Sequence, residues 1–384
     1  MKLRRVILFG SIIIVVLVLL QALPLTFFVL TPSWVSAVTV IGWVLAALGV
    51  VVLPLLMFLG HGRNLDFAAV IADVWLGITW QLFAWAVIGE LSVLVMYLVG
   101  VNRDFRERVW PLLVLTSVVV LLLYGMVRAL AAPPIRRREI VIERLPPTLD
   151  GLTIGQLTDT HLSPILGRAW IAKVVDRLNA LQPQIVVHTG DLADGDIGRR
   201  KAAVDELGRI VAPQGRYFIT GNHEYLSDAA HWVAHMRALG WIVLQNSNVV
   251  VGAADAQLAI IGINDLTAPG KGPAADRSDI DKAVLGVPST MAKILLAHQP
   301  KQIRDAVHIG ADLQLSGHTH GGQMWPFHLL VKLEQGAVHG LSRHGIRTLL
   351  YTSRGTGFWG PPFRIFAPPE ITLITLRRRS GERA

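Results

Sequence analysis

Residues 152–161 read LTIGQLTDTH. The run Leu152–Leu157 is short and largely apolar, and it ends in turn-forming polar residues, which predicts a strand. The strand leads directly into Asp159 and His161. Side chains alternate along extended backbone, so these two leave the strand end on the same side. A carboxylate beside an imidazole is metal-ligand chemistry. A single Asp-x-His pair is ordinary loop polarity. The fold is decided by the recurrence of the pattern.

The predicted strand Ile185–Thr189 runs into Gly190-Asp191, and Tyr217–Ile219 into Gly221-Asn222-His223-Glu224. Lys293–Leu296 runs into His298, and Leu313–Leu315 into Gly317-His318-Thr319-His320. Further strands are predicted over Leu258–Ile263 and Thr348–Tyr351, and helices over Ala169–Leu181, Lys201–Val211, Ala229–Leu239 and Gln302–Ile309. Alternating strands and helices predict an α/β domain. Such sheets gather ligands at the C-terminal ends of their strands, so five strand ends should converge on one crevice. Carboxylate, amide oxygen and imidazole together suit manganese, iron or zinc. Two such ions about 3.5–4 Å apart activate a water and clamp an in-line phosphoryl displacement.

This ordered set of motifs resembles the calcineurin-like metallophosphoesterase superfamily over about residues 140–376. The run Ser316–Gln323 and the end Ser353–Pro362 resemble its membrane-associated YkuE-like branch. The resemblance implies a two-sheet β-sandwich flanked by helices, and two divalent or transition-metal ions. It implies that Asp159, His161 and His320 hold the first ion, that Asn222, His298 and His318 hold the second, and that Asp191 bridges them. It assigns His223 to the substrate phosphate, as the group that protonates the leaving oxygen. Asp194 matches the carboxylate that orients this histidine, with Glu224 as the competing candidate. In the superfamily's protein phosphatases an arginine follows the position of Asp194. Here Gly195 stands there, which argues against specific protein phosphatase activity. Arg199, Arg200 and Arg354 are candidates for contacting phosphate instead but read as solvated surface charges, and His188, a candidate for supporting the ligands, reads as a core histidine. His308, His328, His339 and His344 show no ligand spacing. The excursion Gly322–His344 carries an apolar run, Trp325–Val331, that admits three readings: a lid, an edge against a bilayer, or loop packing.

The N-terminal third has another character. The chain of 384 residues is 52% hydrophobic but only 16% charged, against roughly 25% charged in soluble domains. The deficit lies in four runs. Val6–Leu30 and Trp34–Leu59 carry no charge, Val74–Val99 carries only Glu90, and Val109–Ala132 only Arg128. Each exceeds the roughly 20 residues that cross about 30 Å of hydrocarbon as a helix. The expected organisation is a transmembrane domain over 1–135, with helices at about 6–30, 34–59, 74–99 and 109–132. A linker over 136–150, the phosphoesterase domain over 151–376 and a basic tail over 377–384 follow. Asp73 is expected at an interface and Glu90 paired inside the bundle. Lys2, Arg4, Arg5, Arg63, Arg128 and Arg136–Arg138 fall on one side, against Arg103, Arg106 and Arg108 on the other. The positive-inside rule then places the catalytic domain in the cytoplasm, on the inner face of the cell membrane.

The absence of cysteine excludes disulfides, thiolate metal sites and thiol catalysis. The basic triplets Arg136–Arg138 and Arg377–Arg379 suit anionic lipid headgroups, and no basic groove interleaved with aromatics predicts nucleic acid binding. The expected function is hydrolysis of a phosphomonoester or phosphodiester by metal-activated hydroxide. The membrane tether points to a lipid-linked phosphate. The alternative is a membrane transporter or sensor, supported by Asp73 and Glu90, with the phosphoesterase-like domain as its regulatory module. A pseudoenzyme is disfavoured by the complete ligand set.

Overall fold

A computed structural model describes residues 2–253, 256–268 and 276–379, with side chains from residue 11 onward. The chain forms two compact units: Met1–Val127 with Gly360–Ile365, and Arg128–Trp359 with Phe366–Ala384.

The first unit is helical. It contains α1 (Lys2–Leu25), α2 (Ser36–Met57), α3 (Asp66–Leu98) and most of α4 (Trp110–Leu130). With their flanking turns these give four stretches long and apolar enough to cross a membrane: Ser11–Leu30, Ser36–Gly62, Asp66–Leu98 and Phe105–Leu130. The third begins at Asp66 rather than near residue 74. Asp66 in its first turn complements the helix dipole. Asp73, expected at an interface, is buried within the helix and meets His61 Nε2 at 2.9 Å. Glu90 departs from its expected pairing: it is half-buried and has no ion-pair partner among the described residues.

The second unit is an α/β sandwich. Its elements are β1 (Ile135–Ile142), β2 (Thr153–Leu157), α5 (Arg168–Asn179), β3 (Ile185–Thr189), α6 (Ile197–Val204), β4 (Arg216–Ile219), α7 (Asn222–Leu226), α8 (Ala229–Ala238), β5 (Ile242–Val243), β6 (Ser247–Val251) and β7 (Leu258–Gly262). Then follow α9 (Ile280–Ala283), β8 (Ala292–Leu296), α10 (Ile303–His308), β9 (Leu313–Ser316), α11 (His328–Gln335), β10 (Gly340–His344), β11 (Thr348–Thr352) and β12 (Ile371–Arg378). One sheet runs β1-β12-β2-β3-β4-β5 and the other β10-β11-β9-β8-β7-β6. Strands β2, β3 and β4 are mutually parallel, as are β7, β8 and β9. Their inward residues, among them Ile154, Val187, Ile219, Ile260, Ile294 and Leu315, interlock as one buried core. The outer face of the first sheet is covered by α5, α6 and α8 through Ile171, Val175, Val204 and Trp232. Ala283 and Ala306, from α9 and α10, cover the second. Strand β3 is buried along its whole length, which explains its continuous apolar run rather than an alternating one.

The stretch 136–150, expected as a linker, carries β1, which pairs in parallel with β12. Ile140 and Ile142 enter the core while Val141 faces out. The arginine triplet ahead of them hides this period of two. The expected basic tail starts inside β12: Arg377 pairs with Glu139 there, and Arg379, just past the strand, with Glu143, each at 2.8 Å. Residues 380–384 lie outside the described residues, as do 254–255 and 269–275.

Candidate metal centre

Five loops at strand C-termini bring the candidate ligands together. Asp159 and His161 follow β2, Asp191 follows β3, Asn222 and His223 follow β4, His298 follows β8, and His318 and His320 follow β9. The two sheets are joined at this rim by buried hydrogen bonds. Gln156 Nε2 donates to Ser316 O at 3.2 Å, and His298 Nδ1 to Thr189 O at 2.8 Å.

The backbone here is strained. Asp159, His161, Asp191, His318 and His320 all have positive φ, between 40° and 68°. Non-glycine residues avoid this region unless the surroundings hold them there, and such outliers collect at functional sites. The preceding glycines give the loops room. A Cβ on Gly317 would lie 2.1 Å from Asp159 Oδ2, and one on Gly190 (φ +94°) 2.6 Å from Gly221 N.

The donor atoms converge. His161 Nε2 lies 3.1 Å from His320 Nε2 and 3.5 Å from Asp191 Oδ2. His320 Nε2 lies 3.6 Å from Asp159 Oδ1. On the other side of Asp191, His298 Nε2 lies 3.2 Å from Asp191 Oδ2, 3.1 Å from Asn222 Oδ1 and 3.2 Å from His318 Nδ1. The triads Asp159–His161–His320 and Asp191–His298–His318 each hold their donor atoms within 4.8 Å of one another.

The protonation pattern follows from the outer partners. A carboxylate or carbonyl oxygen only accepts. His161 therefore carries its proton on Nδ1, which donates to Asp194 Oδ1 at 2.9 Å, and His298 carries its proton on Nδ1 toward Thr189 O. Both Nε2 lone pairs then point at other lone pairs, an arrangement that calls for cations between them. Asp159 Oδ2 is buried and accepts no hydrogen bond among the described residues, which is costly for a carboxylate unless a cation meets it. A proton on His298 Nε2 can take the place of such a cation: burial lowers His298, but Asp191 and Asp159 override this and hold its pKa well above the usual imidazole range. The site demands positive charge, and its donor set fits divalent metals.

Asp194 serves two imidazoles with one oxygen, since His223 Nδ1 also donates to Oδ1, at 2.8 Å. Burial would raise Asp194, yet His161 and His223 hold it below the usual carboxylate range. Burial would depress His223, and Asp191 and Asp194 lift it instead to about 9. Glu224 does not touch His223 with its carboxylate. It accepts backbone N–H bonds from Gly221, Asp191 and Leu192 at 2.6, 3.0 and 2.7 Å, and so pins the β3 and β4 loops to each other. Burial and the neighbouring Asp191 push it up to about 7.

Other candidates fall outside the centre. His188 is buried against Phe218 and Trp241, meets Thr160 Oγ1 at 3.1 Å, and is pushed by burial down to about 3. Arg354 faces His339 and Glu370, and Arg199 lies 3.9 Å from Asp196. Arg200 Nε donates to Asp194 O at 3.0 Å. None of these arginines lines the cavity at the centre, which measures about 400 Å³. The apolar run Trp325–Val331 leads into α11, and its Phe327, Leu330 and Val331 line that cavity together with Trp359. No spacing rule linked these residues to the ligands, because the contact joins α11 to a loop after β11.

Comparison with known proteins agrees with this geometry. The family profile described as calcineurin-like phosphoesterase matches residues 152–322. The uncharacterized metallophosphoesterase Cj0846 of Campylobacter jejuni is 34% identical over 78% of this chain and 79% of its own length. The uncharacterized metallophosphoesterase YkuE of Bacillus subtilis is 31% identical over 66% of this chain and 90% of its own length. A transmembrane protein with metallophosphoesterase domain from Danio rerio is 36% identical over 72% of this chain, which spans 64% of that relative. The chain belongs to the calcineurin-like metallophosphoesterase family, and its four apolar helices and transmembrane relatives associate it with a membrane.

Proposed function

We propose that this protein is a membrane-anchored, dinuclear metal-dependent phosphoesterase, with its active centre in residues 151–376. The observation that carries the reading is the convergence of seven donor residues whose lone pairs face one another around Asp191. Asp159, His161 and His320 would hold one ion and Asn222, His298 and His318 the other, with Asp191 placed to serve both. The donor set suits manganese, iron or zinc. Bound there, two ions supply an activated water and offset charge on the phosphoryl oxygens.

The chain's own residues do the rest. Asp194 fixes His161 through Nδ1, which aims Nε2 at the metal position. The same carboxylate holds His223 as imidazolium, the form that gives a proton to the leaving oxygen. Glu224 sets the distance between the Asp191 and Asn222 loops. The membrane anchor favours a lipid-linked phosphomonoester or phosphodiester, met at the cytoplasmic face of the inner membrane.

The test is hydrolysis of p-nitrophenyl phosphate and bis(p-nitrophenyl) phosphate by the full chain, stripped of metal and reloaded with manganese, iron or zinc. Metal-dependent turnover that disappears in Asp191→Ala is expected, and the preferred ester identifies a monoesterase or a diesterase. A metal-loaded chain inert toward both of these and toward phospholipid esters in bilayers refutes the reading.

A further inference from the structure

We propose that the apolar wall beside the metal centre is a subsite for the leaving group of the substrate, built for an unbranched alkyl or acyl chain. This rests on the phosphoesterase reading above and names the chemistry of the substrate's other half.

The cavity has two kinds of lining. One is polar, the imidazoles and Asp191. The other is apolar: Phe327 at the N-cap of α11, Leu330 and Val331 on α11, and Trp359. The spacing of residues 327, 330, 331, 334 and 335 puts them on one face of the helix. The polar members of that face are tied down: Gln335 Nε2 donates to Gln299 Oε1 at 3.1 Å, and Glu334 pairs with Lys301. The apolar members line the open cavity. Leu330 is 52% exposed and Trp359 46% exposed, large apolar side chains left partly in water at the mouth of a binding site.

Trp359 is held rigidly. Its backbone N–H donates to Gln323 Oε1 at 3.0 Å, and its carbonyl accepts from Gln323 Nε2 at 2.7 Å. Its ring lies edge-on to the His223 imidazole, with centroids 6.3 Å apart. His223 is the residue assigned to the leaving oxygen. Trp359 therefore stands beside the position of that oxygen, and Leu330 and Val331 line the same cavity for whatever is bonded to it. No lysine or arginine lines the cavity among the described residues, so nothing there matches a polyphosphate or a nucleic acid backbone. An apolar chain fits the wall, and the membrane spans keep the protein where such chains are concentrated.

The test uses the full chain in lipid nanodiscs, loaded with manganese. Binding of n-alkylphosphonates from methyl to hexyl is measured by calorimetry. Their affinity should rise by about fourfold per methylene, the factor that corresponds to about 0.8 kcal/mol per buried CH₂. Trp359→Ser and Leu330→Ser should each flatten this slope. Leu333→Ser, at a position 85% exposed and outside the cavity, should leave it unchanged, which separates the subsite from partition into the bilayer. Phosphate release from the matching alkyl phosphates is followed in parallel. Rising affinity without turnover of the alkyl phosphates upholds the subsite and overturns the monoesterase. Affinity independent of chain length, no binding at all, or equal slopes in all three variants overturns the subsite. Tighter binding of phenylphosphonate than of hexylphosphonate overturns the choice of chain over ring.

Discussion

Replacing Asp194 by asparagine separates two functions that meet on one atom. Oδ1 accepts from His161 Nδ1 at 2.9 Å and from His223 Nδ1 at 2.8 Å. An asparagine oxygen in that place keeps both hydrogen bonds and loses the charge, and charge-assisted bonds are roughly twice as strong as neutral ones. Through His161 the expected effect is the lower end of the roughly 10–100-fold loss of metal affinity seen when a ligand's outer partner is removed. Through His223 it is a fall in kcat of about 100-fold, the lower end of what general acid catalysis supplies. The assay titrates manganese by calorimetry and then measures kcat at saturating metal with two esters. An alkyl phosphate expels an alkoxide and needs the proton. A p-nitrophenyl ester expels a stabilised phenolate and does not. The loss in kcat should fall on the alkyl ester and be small for the p-nitrophenyl ester. Equal losses for both, or an alkyl-ester kcat within about threefold of the parent at saturating metal, would refute the role of His223 as proton donor.

Three further outcomes follow from the same geometry. Glu224→Gln turns an acceptor of three backbone N–H groups into a side chain with one acceptor and one donor end. It should destabilise the folded chain by about 1–3 kcal/mol, read as a lowered unfolding temperature. Gly317→Ala places a Cβ 2.1 Å from Asp159 Oδ2, so metal analysis should show substoichiometric loading while the far-ultraviolet circular dichroism stays that of the parent. His188→Phe keeps a ring against Phe218 and Trp241 and removes the contact to Thr160. It should keep full metal loading with kcat within about tenfold of the parent, whereas a true ligand would lose the metal.

The sequence carried the centre more fully than it carried the frame around it. The ligands sit in short loops directly after buried strands, and Asp159/His161 and His318/His320 are pairs two residues apart, so their spacing survives in the primary structure. The edges do not advertise themselves this way. Strand β1 opens with Arg136–Arg138 and offers only Ile140 and Ile142 to the core, and β12 reaches the sheet from the far end of the chain. Helix α6 begins at Ile197 rather than at Lys201, because Asp196 caps it by accepting from Arg199 N at 3.2 Å. That capping residue was the available signal. Helix α11 was hidden because its apolar face lines a cavity instead of a core, which breaks the rule that apolar runs are buried. The double duty of Asp194 and the backbone duty of Glu224 arise from contacts between different loops, and no local spacing encodes them.

The central claim is that Asp191 bridges two ions. X-ray absorption on the manganese-loaded full chain, at measured metal stoichiometry, tests it most directly. The expected result is two ions per chain with a metal–metal vector at about 3.5–4 Å, and loss of that vector in Asp191→Ala. A single ion per chain, or two ions with no vector in that range, would contradict the account.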